Sequence, residues 1–386
     1  MGANSRNELA EGSVIDRYEI VRAVARGGMG SVWLARLVGK HGFTKTVAIK
    51  TIAPEFASNP QFHAMFLEEA RLSSKLAHAN IAQVLDVGEH GGGVYIVFEW
   101  VDGQSLEQIC RAHEATGAEV PIPLLLRAIA DACAGLHAAH ELRDEAGTPL
   151  GVVHRDVTPG NVLVSDQGSA KVIDFGIAKS RDRVHGETRS GFVKGTPQYM
   201  SPEHACREPL DRRTDVWSLG AVMFRVINGV PPFRDHEALL DYMDGSKPLP
   251  VLRSGTPADV AAIVARALQV DRSRRFASAE EMRHAVERAL NATGVSSDQV
   301  SAMASRIVTT DPGGAISPHA PTELAIPSIH PPAASLRPHG SAVATMISPQ
   351  APSRPAARDP LKPLLIALAV VALVTVGAVA FATCTS

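Results

Sequence analysis

Five side chains in this sequence suit the handling of a phosphorylated ligand, and their order and surroundings give them weight. Lys50 ends the run Val47-Ala48-Ile49-Lys50, whose period-two alternation predicts a strand with Ala48 and Lys50 on one face. A small residue beside a cation suits a flat ring and a phosphate. Glu69 falls in Gln61–Leu76, where Phe62, Met65, Phe66, Glu69, Leu72 and Leu76 share one helical face. An acid on an apolar face needs a cation, so Lys50 and Glu69 are predicted to pair, while Glu68 points away. Asp156 and Asn161 belong to His-Arg-Asp-Val-Thr-Pro-Gly-Asn (154–161), and Asp174 to Ile-Asp-Phe-Gly (173–176). Both are short loops among apolar runs read as strands: Gly-Val-Val (151–153), Val-Leu-Val (162–164) and Lys-Val-Ile (171–173). Their oxygens serve as proton acceptors, or as hard ligands leaving most positions to water and phosphate, the preference of Mg²⁺.

A glycine-rich hairpin precedes them. Arg26-Gly27-Gly28-Met29-Gly30-Ser31-Val32 joins two β-rich runs, and its bare tip lets backbone amides approach phosphate oxygens. Alone, such a hairpin is an ordinary turn more often than a phosphate cradle.

The elements that must position these groups separate into two kinds. Tyr18–Ala25, Ser31–Leu37, Lys45–Ile52 and Tyr-Ile-Val-Phe-Glu-Trp-Val (95–101) read as strands around the single helix that carries Glu69. Beyond residue 103 the pattern turns mostly helical. A β-rich lobe followed by an α-rich one implies two layers with a cleft between them.

Composition excludes several classes. The chain has 386 residues, with 38 basic and 40 acidic side chains, so no basic excess points to nucleic acid. Four scattered cysteines, Cys110, Cys133, Cys206 and Cys384, form no CxxC pair, against a zinc site or disulfide framework. None of the 15 histidines falls in a metal-ligand spacing, and residues 1–17 lack the apolar run of a signal peptide.

Two composition shifts follow the globular part. Residues 296–362 contain no Phe, Trp or Tyr yet hold 11 of the 26 prolines, and 291–362 is read as a flexible linker rich in Pro, Ala and Ser. Leu364–Ala382 has no charged residue, and its nineteen residues span roughly 28 Å as a helix, close to a bilayer core. A buried core helix would show a polar face, and this segment shows none. A transmembrane helix over 363–383 is therefore expected, with 384–386 as a short tail. Arg354, Arg358 and Lys362 lie just before it, so the positive-inside rule places the N-terminal domain in the cytoplasm. The expected location is the inner, cytoplasmic membrane, through one span and with no ligand-sensing domain beyond it.

In order and spacing, these motifs resemble the eukaryotic-like (Hanks-type) Ser/Thr protein kinases, of the bacterial membrane-anchored type, over residues 18–290. Later landmarks agree: Gly195–Glu203 resembles the end of an activation segment, with Ser201-Pro202-Glu203 for Ala-Pro-Glu. Asp215 resembles the buried acid that anchors the catalytic loop, Arg275 the partner of Glu203, and Thr196 the mark of Ser/Thr acceptors. The resemblance implies an α+β, bilobal protein-kinase-like fold with ATP and Mg²⁺ as cofactors. By it Asp156 would take the proton of the acceptor hydroxyl, Asn161 and Asp174 would hold Mg²⁺, and Lys50, fixed by Glu69, would hold the α- and β-phosphates. Val24, Ala25, Arg26, Gly27, Gly28, Met29, Gly30, Ser31 and Val32 would cover the nucleotide, while Val32, Ala48 and Leu163 would sandwich adenine. The backbone of Glu99 and Val101 would bond its edge behind Phe98, and His154 and Phe175 would pack between the lobes.

Two positions depart from the family pattern: Ala25 replaces the first glycine, and Thr158 stands where Ser/Thr kinases carry a γ-phosphate-contacting lysine. Thr158 motivates a rival reading, a pseudokinase that binds ATP or scaffolds at the membrane. A small-molecule phosphotransferase is disfavoured by the activation segment. The resemblance further implies protein substrates, regulatory phosphosites at Thr188 and Ser190 whose phosphate pairs with Arg155, and a homodimer for trans-autophosphorylation. Gly377 is the only glycine of the span, so no GxxxG supports dimerisation there.

Overall fold

The structure, a computed structural model, describes residues 9–27, 30–53, 56, 59–91, 93–175 and 197–309. Its first part is a six-stranded antiparallel sheet: β1 (Val14–Ile15), β2 (Tyr18–Gly27), β3 (Gly30–Val38), β4 (Thr44–Ile52), β5 (Val84–His90) and β6 (Gly93–Glu99), ordered β1-β2-β3-β4-β6-β5. Alternation sets what each face does. In β4, Val47 and Ile49 are fully buried among Ile20, Trp33, Ala35 and Val97, which turns Ala48 and Lys50 to the opposite side. Helix α1 (Pro60–Ser74) starts at Pro60 with the Asn59 side chain accepting from the Gln61 N–H, and packs Phe66 and Ala70 against Val84, Val94 and Ile96.

The second part is helical. A small sheet, β7 (Gly103–Ser105), β8 (Val162–Ser165) and β9 (Ala170–Val172), leads into it. The helices are α2 (Leu106–Thr116), α3 (Ile122–His140), α4 (Pro202–Ala205), α5 (Arg213–Asn228), α6 (His236–Met243), α7 (Ala258–Ala267), α8 (Ala279–Ala292) and α9 (Ser297–Thr309). Among the described residues only α3 is long and apolar enough to cross a membrane, but most of it is buried. Leu125, Ile129 and Leu136 sit in one core with Trp217, Leu219 and Phe224 of α5, so this mostly apolar helix is the centre of the helical lobe.

Two sequence expectations are corrected. Gly151–Val153 forms no strand: Gly151 takes a φ of 60°, outside the extended region, and the N–H of the next residue, His154, goes to the buried Asp215 of α5. The linker expected from 291 does not begin there. Ser296 and Gln299 form reciprocal capping bonds (2.9 and 3.3 Å) that open α9, and Val300 and Ala304 bury themselves against the helical lobe. The remainder of the linker, the span over 363–383 and the tail lie outside the described residues.

Candidate active site

Lys50 reaches from β4 into the cleft between the two parts. Its Nζ donates to Glu69 Oε1 on α1 and to Asp174 Oδ1 after β9, both at 2.9 Å. Burial works against the ammonium charge, but the Asp174 and Glu69 carboxylates outweigh it and raise the lysine above its ordinary value. The cation is fixed and permanently charged.

The catalytic loop hangs from Asp215, fully buried in the first turn of α5. Asp215 accepts the His154 N–H at 2.8 Å and the Arg155 N–H at 2.9 Å, with His140 Nε2 at 2.8 Å. Burial alone would raise this carboxyl, yet the His140 contact and these amides hold it below the usual carboxylate range. Burial also lowers the His154 imidazole. Its Nε2 donates to the Ile173 carbonyl (2.9 Å) and its Nδ1 accepts the Asp156 N–H (3.3 Å), a pairing that requires the neutral ring. The ring packs on Phe175, with centroids 4.7 Å apart. Arg155 and Asp174 hold φ of 67° and 55°, left-handed conformations that L residues rarely adopt. Both flank the site, where the surrounding bonds impose them.

Asn161 ties the loop to the segment carrying Asp174. Its Nδ2 donates to the Asp156 carbonyl (2.8 Å), and its own carbonyl accepts the Ile173 N–H (3.0 Å). Its Oδ1 is buried and meets no donor among the described residues. An orphaned buried oxygen is costly unless something else satisfies it, and a cation does so. With the Asp174 carboxylate, this oxygen fits Mg²⁺, which takes few protein ligands and keeps the rest for water and phosphate. Among the described residues no cluster of three His, Cys, Asp or Glu side chains offers a fuller metal cage.

Beside Lys50 opens a cleft of about 490 Å³, lined by Val24, Val32, Ala48, Glu99, Val101, Leu163 and Asp174. The apolar walls come from both lobes and leave a slot for a flat ring. Three lining residues escaped the sequence reading: Ala82, Trp100 and Ile173. Ile173 and Trp100 adjoin residues already singled out, whereas nothing local marks Ala82. Glu99 turns its carboxylate to Lys171 Nζ and the Gln83 N–H, both 2.9 Å, and its own N–H donates to the Gln83 carbonyl at 2.9 Å. The strands of the glycine hairpin pair as far as Gly27 opposite Gly30; Gly28 and Met29 lie outside the described residues. A side chain at Gly30 would place Cβ 1.9 Å from the Thr51 carbonyl oxygen, so this glycine is also demanded by the close approach of β4. Ala25 is buried in β2, and Arg26 lies over the Trp33 ring at 5.7 Å rather than at the cleft.

Thr158 is buried beside Asp156 at a second cavity of about 200 Å³, shared with Arg155, Tyr199, Met200 and Ser218. The Arg155 Nε is buried without a partner among the described residues, and burial lowers this guanidinium. Thr188, Ser190 and Thr196 lie outside the described residues. Glu203 and Arg275 form a buried two-pronged pair, both contacts 2.8 Å, and Thr214 Oγ1 adds 2.9 Å to Glu203 Oε1.

A two-lobed fold, a lysine held between two acids and a carboxylate on an anchored loop define a phosphotransferase site. The protein kinase domain family matches residues 18–286, more than half of the chain, and the chain belongs to that family. It is 41% identical over 274 residues to the tyrosine-protein kinase MasK of Myxococcus xanthus, covering 70% of this chain and 42% of MasK. Identity is 37% over 277 residues to the serine/threonine-protein kinase PknB of Mycobacterium tuberculosis, covering 69% and 42%. The chain thus spans about 42% of the length of these curated relatives. The crystal structure of the M. tuberculosis PknI kinase domain superposes with a TM-score of 0.56 at 27% identity, over 75% of this chain and all of that one.

Proposed function

We propose that the protein is an active serine/threonine kinase of bacterial signalling, transferring the ATP γ-phosphoryl group to protein hydroxyls and held at the inner membrane by residues 364–382. One observation carries the catalytic part: Lys50 is bonded at 2.9 Å to both Glu69 and Asp174, in a cleft that Asp174 also lines. Lys50 binds the α- and β-phosphate oxygens, and Glu69 fixes its amine. Asn161 and Asp174 would hold Mg²⁺, which supplies neutralisation of phosphate charge when bound. Val32, Ala48 and Leu163 clasp the adenine ring. Asp156 accepts the proton of the acceptor hydroxyl as its oxygen bonds to the γ-phosphorus and the bond to the β-bridging oxygen breaks, leaving ADP. The protein makes no covalent bond, so positioning and charge supply most of the rate.

Acceptor choice rests on the Thr196 context, the PknB likeness and the activation segment. The MasK likeness favours a second reading, transfer to tyrosine, and Thr158 is compatible with it because the lysine usual in Ser/Thr kinases is absent. Acid hydrolysis of radiolabelled protein and separation of the phosphoamino acids decides between them: phosphoserine and phosphothreonine are expected, and phosphotyrosine alone would overturn the Ser/Thr assignment. Autophosphorylation at Thr188 and Ser190, giving Arg155 an anion to bind, belongs to the same proposal. Trans-autophosphorylation would use a second copy of the chain. Mass spectrometry of fully active protein tests it, and unmodified Thr188 and Ser190 would remove the switch.

A further inference from the structure

Asn161 and Asp174, which would hold Mg²⁺, stand on the two arms of one hairpin at its open end. Between them run β8 and β9, paired Val162–Val172, Leu163–Lys171 and Val164–Ala170. The Ile173 N–H to Asn161 carbonyl bond closes the open end at 3.0 Å, and the Ser165 N–H to Ser169 carbonyl bond closes the tip at 2.8 Å. Such a unit moves as a body. Its flank is fixed by the Asp131 carboxylate of α3, which accepts the Ala170 N–H at 2.9 Å, and by Asn80, whose Nδ2 donates to the Ala170 carbonyl at 2.9 Å.

The tip is fixed by α9, beyond the last residue matched by the kinase family. Ser301 Oγ donates to the Gln167 carbonyl at 2.7 Å. Gly168 next to it has φ of +78°, and a Cβ there would lie 3.3 Å from Ser301 Cα, so the turn is shaped to receive this helix. Val300 and Ala304, 4% and 0% exposed, seat the helix on the core that contains α3.

We propose that α9 is a positioning element of phosphotransfer: through Ser301 it holds the tip of the β8–β9 hairpin and so sets the placement of Asn161 and Asp174 for Mg²⁺. This rests on the kinase reading, and the test separates the two by measuring binding rather than turnover. Binding of a fluorescent ATP analogue to the full-length protein is titrated over a range of Mg²⁺ concentrations. In Ala304→Glu, which places a charge in the seat of the helix, the Mg²⁺ concentration for half-maximal enhancement of binding is expected to rise roughly fivefold or more. Affinity without Mg²⁺ should stay unchanged. Ser301→Ala should shift the same way and Ser301→Thr, which keeps the hydroxyl, should behave as the parent. A half-saturation unchanged in Ala304→Glu overturns the proposal, even where its thermal midpoint falls, because α9 is then only a stabilising helix. A parent protein that binds the analogue with Mg²⁺ but transfers no phosphate fails the kinase reading and leaves the positioning role standing.

Discussion

Lys50 is secured from two sides, by Glu69 on a helix and Asp174 on the far lobe, and this arrangement makes its charge independent of pH over the working range. Lys50→Met removes a cation that neither acid can replace, while its neighbours Val47 and Ile49 keep the strand packed. Phosphotransfer measured with radiolabelled ATP should fall by roughly 10²-fold or more, with the thermal midpoint little changed. Ala48 faces the same cleft. Ala48→Leu should fill the ring slot and raise KM for ATP by roughly tenfold in steady-state kinetics, with a smaller effect on kcat. The Lys50–Glu69 pairing was legible because Glu69 falls on the apolar face of its helix, where it needs a cation, and strand alternation turns Lys50 to the cleft side. The Asn161 orphan oxygen was not, since nothing in an amide's spacing says which of its atoms will lack a partner. Ala82 was silent for a similar reason: it lines the cleft only through the path of the chain around it.

Among the elements, the short helix α4 is tied to α5 by the Thr214 hydroxyl and to the loop between α7 and α8 by the Glu203–Arg275 pair. Burial would raise the Glu203 carboxyl, but the bonds from Arg275 outweigh it and hold the group below its ordinary 4.5. A carboxyl depressed on folding binds fewer protons folded than unfolded, so its stabilisation is complete above about pH 4.5 and is lost as pH falls below that value. Asp215 has the same sign. Arg275→Lys, which cannot make the two-pronged contact, should lower the thermal midpoint at pH 7 and flatten the acid limb of midpoint against pH. An acid limb as steep as the parent's would show that other carboxylates govern acid unfolding. Strands β2, β3, β4 and β6 and helix α1 were legible from their alternation or helical spacing. Helix α9 was obscured because a stretch without aromatics resembles a linker, although Ser296–Gln299 carries a capping pattern and Val300, Met303, Ala304 and Ile307 repeat at helical spacing.

At the scale of the whole molecule, the proposed function puts catalysis in residues 18–290 and membrane attachment in residues 364–382, separate stretches of sequence. Removing residues 363–386 should release the protein from washed membranes while phosphotransfer per molecule persists, and continued pelleting after a salt wash would reveal a second attachment site. The proposed activity requires that the two lobes close one cleft around a working phosphotransfer site, despite Thr158 in place of a lysine. It is tested most directly by incubating the purified protein with γ-labelled ATP and Mg²⁺ beside Asp156→Asn, and measuring both label incorporated and ATP bound. Label on the parent, ATP bound by both, and transfer reduced by roughly 10²-fold or more in the variant, which keeps the fold but lacks the proton acceptor, are expected. ATP binding by the parent without incorporation, or equal incorporation by Asp156→Asn, would contradict it.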